Sequence, residues 1–312
     1  TIAFRGTYEP LKWFKLSSNV NIAKTRADIV GSYQGTSFID GILEFPRDIS
    51  LVDRKSLSTA FDTPEAWYTP YGITNPYWAI ANNYNHNDSK QVFGKIQADI
   101  KPMKQLTLTY RYGFDYTDYD LKMGYPEIEL DDALINEDYG YAPSNMNQDG
   151  WVFSRYYRKY ELNHDFMANW TDKYLDGKLD LNVTAGVNMN ERSNTYMTDE
   201  SDGLTFDTGF WDLSNGATKA ELSESQSKRR LVGLFGDVTL GWDDMLYLGL
   251  TARNDWSSTL PIDANSYFYP GATLSWLFTR LIPKNNILDF GKVRLAYGKT
   301  GNDADPYYTS AR

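Results

Sequence analysis

The feature that most constrains this chain is an alternation of apolar and polar residues repeated along most of its length. The alternating stretches are joined by connections that are short, then long, then short again. In Leu246-Tyr247-Leu248-Gly249-Leu250-Thr251-Ala252-Arg253, the residues Leu246, Leu248, Leu250 and Ala252 fall on one side of a strand, and Tyr247, Gly249, Thr251 and Arg253 on the other. Successive side chains of a strand point to opposite faces. A sheet of such strands carries one face suited to hydrocarbon and one suited to water, which makes the chain a candidate membrane-spanning barrel.

Composition sharpens this reading without deciding it. No run of about 18 apolar residues occurs, so no transmembrane helix is expected; barrel strands pass that test because their apolar residues occupy only every second position. Aromatic residues make up 15% of the chain, with 24 Tyr and 9 Trp. That content fits interfacial girdles, and it also fits the aromatic core of a soluble β-sandwich. The net charge of -10 argues against nucleic acid as a partner. The absence of cysteine removes disulfides, thiolate nucleophiles and Cys-ligated metals together.

About ten strands are expected, with short turns near Glu9–Lys12, Pro102–Gln105, Leu175–Lys178 and Asp243–Asp244. Long polar connections are expected over about 29–89, 117–151 and 198–228, and a helical turn within 279–290. Trp13, Phe14, Trp170, Tyr174, Trp242, Trp276 and Phe278 all lie close to a short turn, as a girdle at one rim requires. The chain opens inside a strand-like segment and stops without a final apolar strand. Residues 1–312 are therefore expected to be part of a larger barrel domain.

Catalytic signatures are missing. Gly298-Lys299-Thr300 ends like a phosphate-binding loop, but Val293 stands where its first glycine is needed. The two histidines, His86 and His164, form no metal-binding pair, and no Gly-x-Ser-x-Gly elbow occurs. Glu127, Glu129, Asp131 and Asp132 read as an acidic loop rather than a glycosidase pair. No enzyme, metal or cofactor is expected. The loops carry Trp67, Tyr77, Trp78 and Trp211, which can stack on ligand rings, pack loop on loop, or meet a partner protein.

Several segments resemble the SusC/RagA family of TonB-linked outer-membrane transporters. They are Asn75-Pro76-Tyr77-Trp78, then Arg253-Asn254-Asp255-Trp256-Ser257-Ser258-Thr259-Leu260-Pro261, then Asn265-Ser266-Tyr267-Phe268-Tyr269-Pro270-Gly271. Phe290-Gly291-Lys292-Val293-Arg294-Leu295-Ala296-Tyr297-Gly298 and Gly301-Asn302-Asp303 follow in the family's order. The resemblance implies an all-β, antiparallel transmembrane barrel of about 22 strands, with long extracellular loops and short periplasmic turns. It also implies a Gram-negative outer-membrane location and import of an oligosaccharide or a peptide. The implied partners are a SusD-like surface lipoprotein acting as a lid, TonB and the membrane lipid. The plug, the TonB-contacting segment and the N-terminal periplasmic domain of the family have no counterpart in these residues. Two readings of Arg253, Asp255, Trp256 and Tyr269 stay open. They either face the lumen, plug or substrate, or they pair and anchor within the wall. The competing class is a soluble β-rich carbohydrate-binding or adhesin domain.

Overall fold

The computed structural model describes residues 1–29, 38–43, 47, 50–52, 76–128, 148–207, 209–283 and 288–308. Ten strands form one antiparallel sheet in which every neighbour in sequence is a neighbour in space. They are β1 (Ile2–Leu11), β2 (Phe14–Asp28), β3 (Tyr84–Ile100), β4 (Leu106–Ile128), β5 (Gln148–Tyr174), β6 (Leu179–Asp202), β7 (Glu221–Trp242), β8 (Leu246–Ser257), β9 (Ser266–Trp276) and β10 (Val293–Gly298). Two short helices, α1 (Phe38–Leu43) and α2 (Pro76–Asn82), lie between β2 and β3. No helix among the described residues is long and apolar enough to cross a membrane.

Register gathers the alternating residues into rows. On one face Leu181, Leu240, Leu248, Leu274 and Leu295 are successive cross-strand partners, and so are Val183, Val238, Leu250 and Ala272. At the lower rim the same face carries Tyr174, Leu179, Trp242, Leu246, Trp276 and Val293 in one row. Three of the seven aromatics expected to form a girdle, Tyr174, Trp242 and Trp276, share this row; Trp170 and Phe14 lie in other rows and Phe278 in a 3-10 turn. The turn between β7 and β8 is held by Asp243 and Asp244 at φ 51° and 47°, the left-handed pair that joins twisted strands in two residues.

No dry centre lies beneath this face. Glycine and proline aside, the buried apolar residues among those described are Ala79, Leu121, Tyr125, Val152 and Phe153. Leu234, Phe166 and Leu250 are 53%, 50% and 45% exposed. A soluble sandwich would bury these side chains against a second layer; here the sheet is a single layer.

The upper limit of the apolar band is oblique to the rows. It passes through the pair Ile22 and Val92 on β2–β3, through Met189 and Val232 on β6–β7, and through Phe268 on β9. At roughly 3.4 Å per residue and roughly 4.8 Å between strands, that descent corresponds to a strand tilt of about 30°. Strands of a closed membrane barrel tilt by a similar amount.

The strands outrun the sequence expectation. β4 continues to Ile128, β5 begins at Gln148, β6 reaches Asp202 and β7 begins at Glu221. β5 alone has 27 residues, whereas crossing hydrocarbon takes roughly 9–11. Above the apolar band most residues are polar on both faces, Leu121, Met123, Val152 and Phe153 excepted, so the period-2 contrast fades although the backbone ladder goes on. The helical turn expected in 279–290 is found at its start, as a 3-10 turn over Phe278–Leu281.

If the apolar face meets hydrocarbon, Leu250→Arg in the complete barrel should cost about 2–4 kcal/mol of folding stability in lipid. Thr251→Arg, on the other face, should cost less than about 1 kcal/mol. Denaturant titration of the refolded barrel in vesicles measures both.

Candidate functional site

The polar face carries a hydrogen-bonded chain running across the strands. Arg253 on β8 donates from Nε to both oxygens of Asp255, at 2.7 and 2.9 Å. Its Nη2 reaches Asn188 Oδ1 on β6 at 3.4 Å. Asn188 donates to Asp165 on β5 at 2.7 Å, and Asp165 lies 3.8 Å from Arg111 on β4. Arg111 donates to Gln97 on β3 at 3.2 Å, and Gln97 donates to Asp99 at 3.0 Å.

This chain passes over β7, and the residues there explain how. Gly233 is the register partner of both Asn188 and Asp255. A Cβ at Gly233 would overlap Asp255 Oδ1 and Arg253 Nη2. The missing side chain is thus the gap through which Arg253 reaches β6. Phe235, two residues on, supports the guanidinium, whose Cζ stands 5.8 Å from the ring centroid. Phe235 in turn lies over Gly186, where a Cβ would come within 2.8 Å of the Phe166 carbonyl.

A second cluster sits beside the first. Glu161 accepts from Asn190 at 2.9 Å and from Arg192 at 3.0 Å, and Asn190 also donates to Asn163 at 2.7 Å. Glu161 and Asn163 border a shallow cleft of about 400 Å³, closed on the other side by Asn19, Asn21, Lys95 and Asp115. Amides, carboxylates and cations mixed in this way can bind polar ligands or a polar protein surface. Among the described residues no group of three or more His, Cys, Asp or Glu could hold a metal ion.

The third element is a latch. After β10 the chain folds back over the upper ends of β7–β9. Lys299 N–H donates to the Pro270 carbonyl at 3.1 Å, and Tyr269 hydroxyl donates to the Gly301 carbonyl at 3.2 Å. Asp303, only 5% exposed, receives Arg229 Nη2, Ser257 Oγ and, at 3.1 Å, Thr259 Oγ1. Burial pushes its carboxyl up, but the Ser257 hydroxyl, the Arg229 charge and Thr259 outweigh that and hold it below the ordinary carboxylate value.

The residues singled out in the sequence separate into groups. Arg253, Asp255 and Tyr269 meet on the polar face, with Arg253 and Tyr269 as register partners. Trp256 lies on the apolar face beside Val232 and is 40% exposed. Trp211 is in the β6–β7 connection, where its ring stacks on Tyr84 at 6.2 Å and covers Gly124. Tyr77 and Trp78 are in α2. Trp67 lies outside the described residues, as do Glu129, Asp131 and Asp132. Sequence reasoning missed Asn188, Gly233 and Phe235, and it noted Asp303 only as part of a motif. A glycine in a strand of otherwise bulky residues was the available signal for Gly233.

Comparison with solved structures identifies the fold. A structure of the RagAB peptide transporter matches 99% of this chain at TM-score 0.74 and 21% identity, and the match covers 33% of that chain. The RagAB peptide importer in its "open-open" state matches 96% at TM-score 0.75 and 23% identity, over 32% of its chain. This protein therefore spans about a third of the chains it resembles. No family model and no curated protein matches the chain. The likeness shows the fold: the antiparallel sheet is similar to part of the β-barrel of those structures.

Two outcomes test the site. Gly233→Ala should displace Arg253 from Asn188 and destabilise the barrel by about 1–2 kcal/mol, read by denaturant titration. The depressed Asp303 carboxyl contributes latch stability that is complete above the ordinary carboxylate pKa near 3.8. That stability is lost as pH falls through the lowered folded value. Amide exchange over 299–305, corrected for its intrinsic pH dependence, should therefore be unchanged from pH 7 to 5 and accelerate below about pH 4.

Proposed function

We propose that this chain forms part of the barrel wall of a TonB-linked importer of the SusC/RagA family, acting in the outer membrane of a Gram-negative cell. The observation that carries the reading is the likeness of nearly the whole chain to the RagAB peptide transporter. It is supported by the Arg253–Pro261, Asn265–Gly271 and Gly301–Asp303 segments, which keep the family's order. The apolar face meets lipid, and the polar face lines the hydrated interior. There the Arg253–Asp255–Asn188 chain and the Glu161 cluster present charges and amides to a plug or to passing substrate. Arg253 and Asp255 act first as wall elements, because each is already bonded to the other.

Peptide is the cargo this reading favours over oligosaccharide, since the neighbours are peptide transporters. A SusD-like surface lipoprotein covers the outer mouth and meets loops that carry Tyr77, Trp78 and Trp211. TonB supplies energy through parts of the protein beyond these residues.

The test is uptake by cells carrying the complete transporter. Deleting its gene should abolish import of labelled oligopeptides, and restoring the gene should recover import only when TonB is present. Affinity purification from detergent-solubilised outer membranes should bring down a lipoprotein. A protein that stays monodisperse without detergent and binds glycan by itself would instead establish the carbohydrate-binding alternative.

A further inference from the structure

The apolar face changes character abruptly on β2 and β3. Ile22 pairs with Val92, and at the next position on that face Lys24 pairs directly with Lys90. Like charges directly opposed across an antiparallel pair repel one another. Both lysines are exposed, and neither is in an ion pair within 4.0 Å among the described residues. The acidic groups near them are engaged elsewhere or stand a position higher. Asp118, the register partner of Lys90, takes Arg158 Nε at 3.0 Å. Asp28 takes His86 Nδ1 at 2.6 Å, and Asp88 stands opposite Arg26, whose Nε donates to His86 Nε2 at 3.1 Å.

The other end of the band shows what is missing here. On β6–β7 the pair Met189 and Val232 is followed by Glu191 and Arg230. There the sheet supplies its own anion, because Glu191 receives Lys228 at 2.7 Å and Arg230 at 2.6 Å. At the matching level on β2–β3 the cations have no such carboxylate between them.

We propose that Lys24 and Lys90 form a binding site for the phosphate group of a phosphorylated lipid of the outer leaflet, with Arg26 as a third cation one position higher. The occupant follows from position. The lysine stems continue the surface of Ile22 and Val92, where acyl chains would end, and their ammonium groups emerge at headgroup level. A free anion would gain the charge but not the continuity with the apolar band. The site rests on the outer-membrane reading given above but does not depend on the transported substrate.

The test uses the complete transporter, purified in detergent and titrated with lipid A under native mass spectrometry. Three ligands with the same acyl chains are compared: diphosphorylated, monophosphorylated and dephosphorylated. Wild-type protein should retain the phosphorylated forms preferentially. Lys24→Gln combined with Lys90→Gln should weaken diphosphorylated binding roughly 30-fold, the Lys→Arg pair should restore it, and Lys104→Gln in the exposed β3–β4 turn should leave it unchanged. Heat-modifiable migration in SDS gels verifies that each variant is a folded barrel. Equal binding of phosphorylated and dephosphorylated lipid by wild type, or full displacement by inorganic phosphate, would overturn the site while leaving the barrel reading intact. A protein needing neither detergent nor lipid would overturn the barrel reading itself.

Discussion

Everything in this structure depends on an antiparallel hydrogen-bond ladder across nine strand pairs, whose register shifts only near the β1–β2 turn, between Tyr8 and Leu11. Because the side-chain period of a strand is two, one slipped residue would move every leucine of the Leu181–Leu240–Leu248–Leu274 row to the polar face. The ladder also satisfies the backbone groups that hydrocarbon cannot. Among the described residues no second layer of protein covers the apolar face, and its leucines and aromatics remain open.

The polar face is ordered by a different principle. Its charges are organised by contact with one another, and the carboxylates at the centre of these contacts, Asp255 and Asp303, are the ones most withdrawn from water. Arg253 is held by Asp255 beside it, Phe235 beneath it and Asn188 two strands away. Glycines at 233 and 186 provide the room for this. The latch at Asp303 works in the same way, with a short segment after β10 fixed to β7 and β8 through one carboxylate. Backbone geometry and polar chemistry thus meet on one face of the sheet.

Much of the architecture was legible in the chain. The strands, their short turns, the girdle of Tyr174, Trp242 and Trp276, and the grouping of Arg253 with Asp255 follow from alternation and from motif order. The strand ends were not legible. Residues such as Asp118, Asp120 and Ser225 lie in regular strands with polar neighbours, and such a segment reads as loop. Nor could the sequence show that Trp256 and Trp211 belong to surfaces away from Arg253, because a local pattern does not say what a connection folds onto.

The amino-acid sequence by itself determined the two-sided sheet, since alternation fixes which residues share a face whatever the partners are. Tertiary structure alone decided which side chains on that face meet. Asn188 and Arg253 are separated by a whole strand, Arg229 and Asp303 by three connections, and Ser257 and Asp303 by two. The physical reason is that alternation acts between residues two apart, whereas these contacts are created by register between strands, a relation no single segment contains.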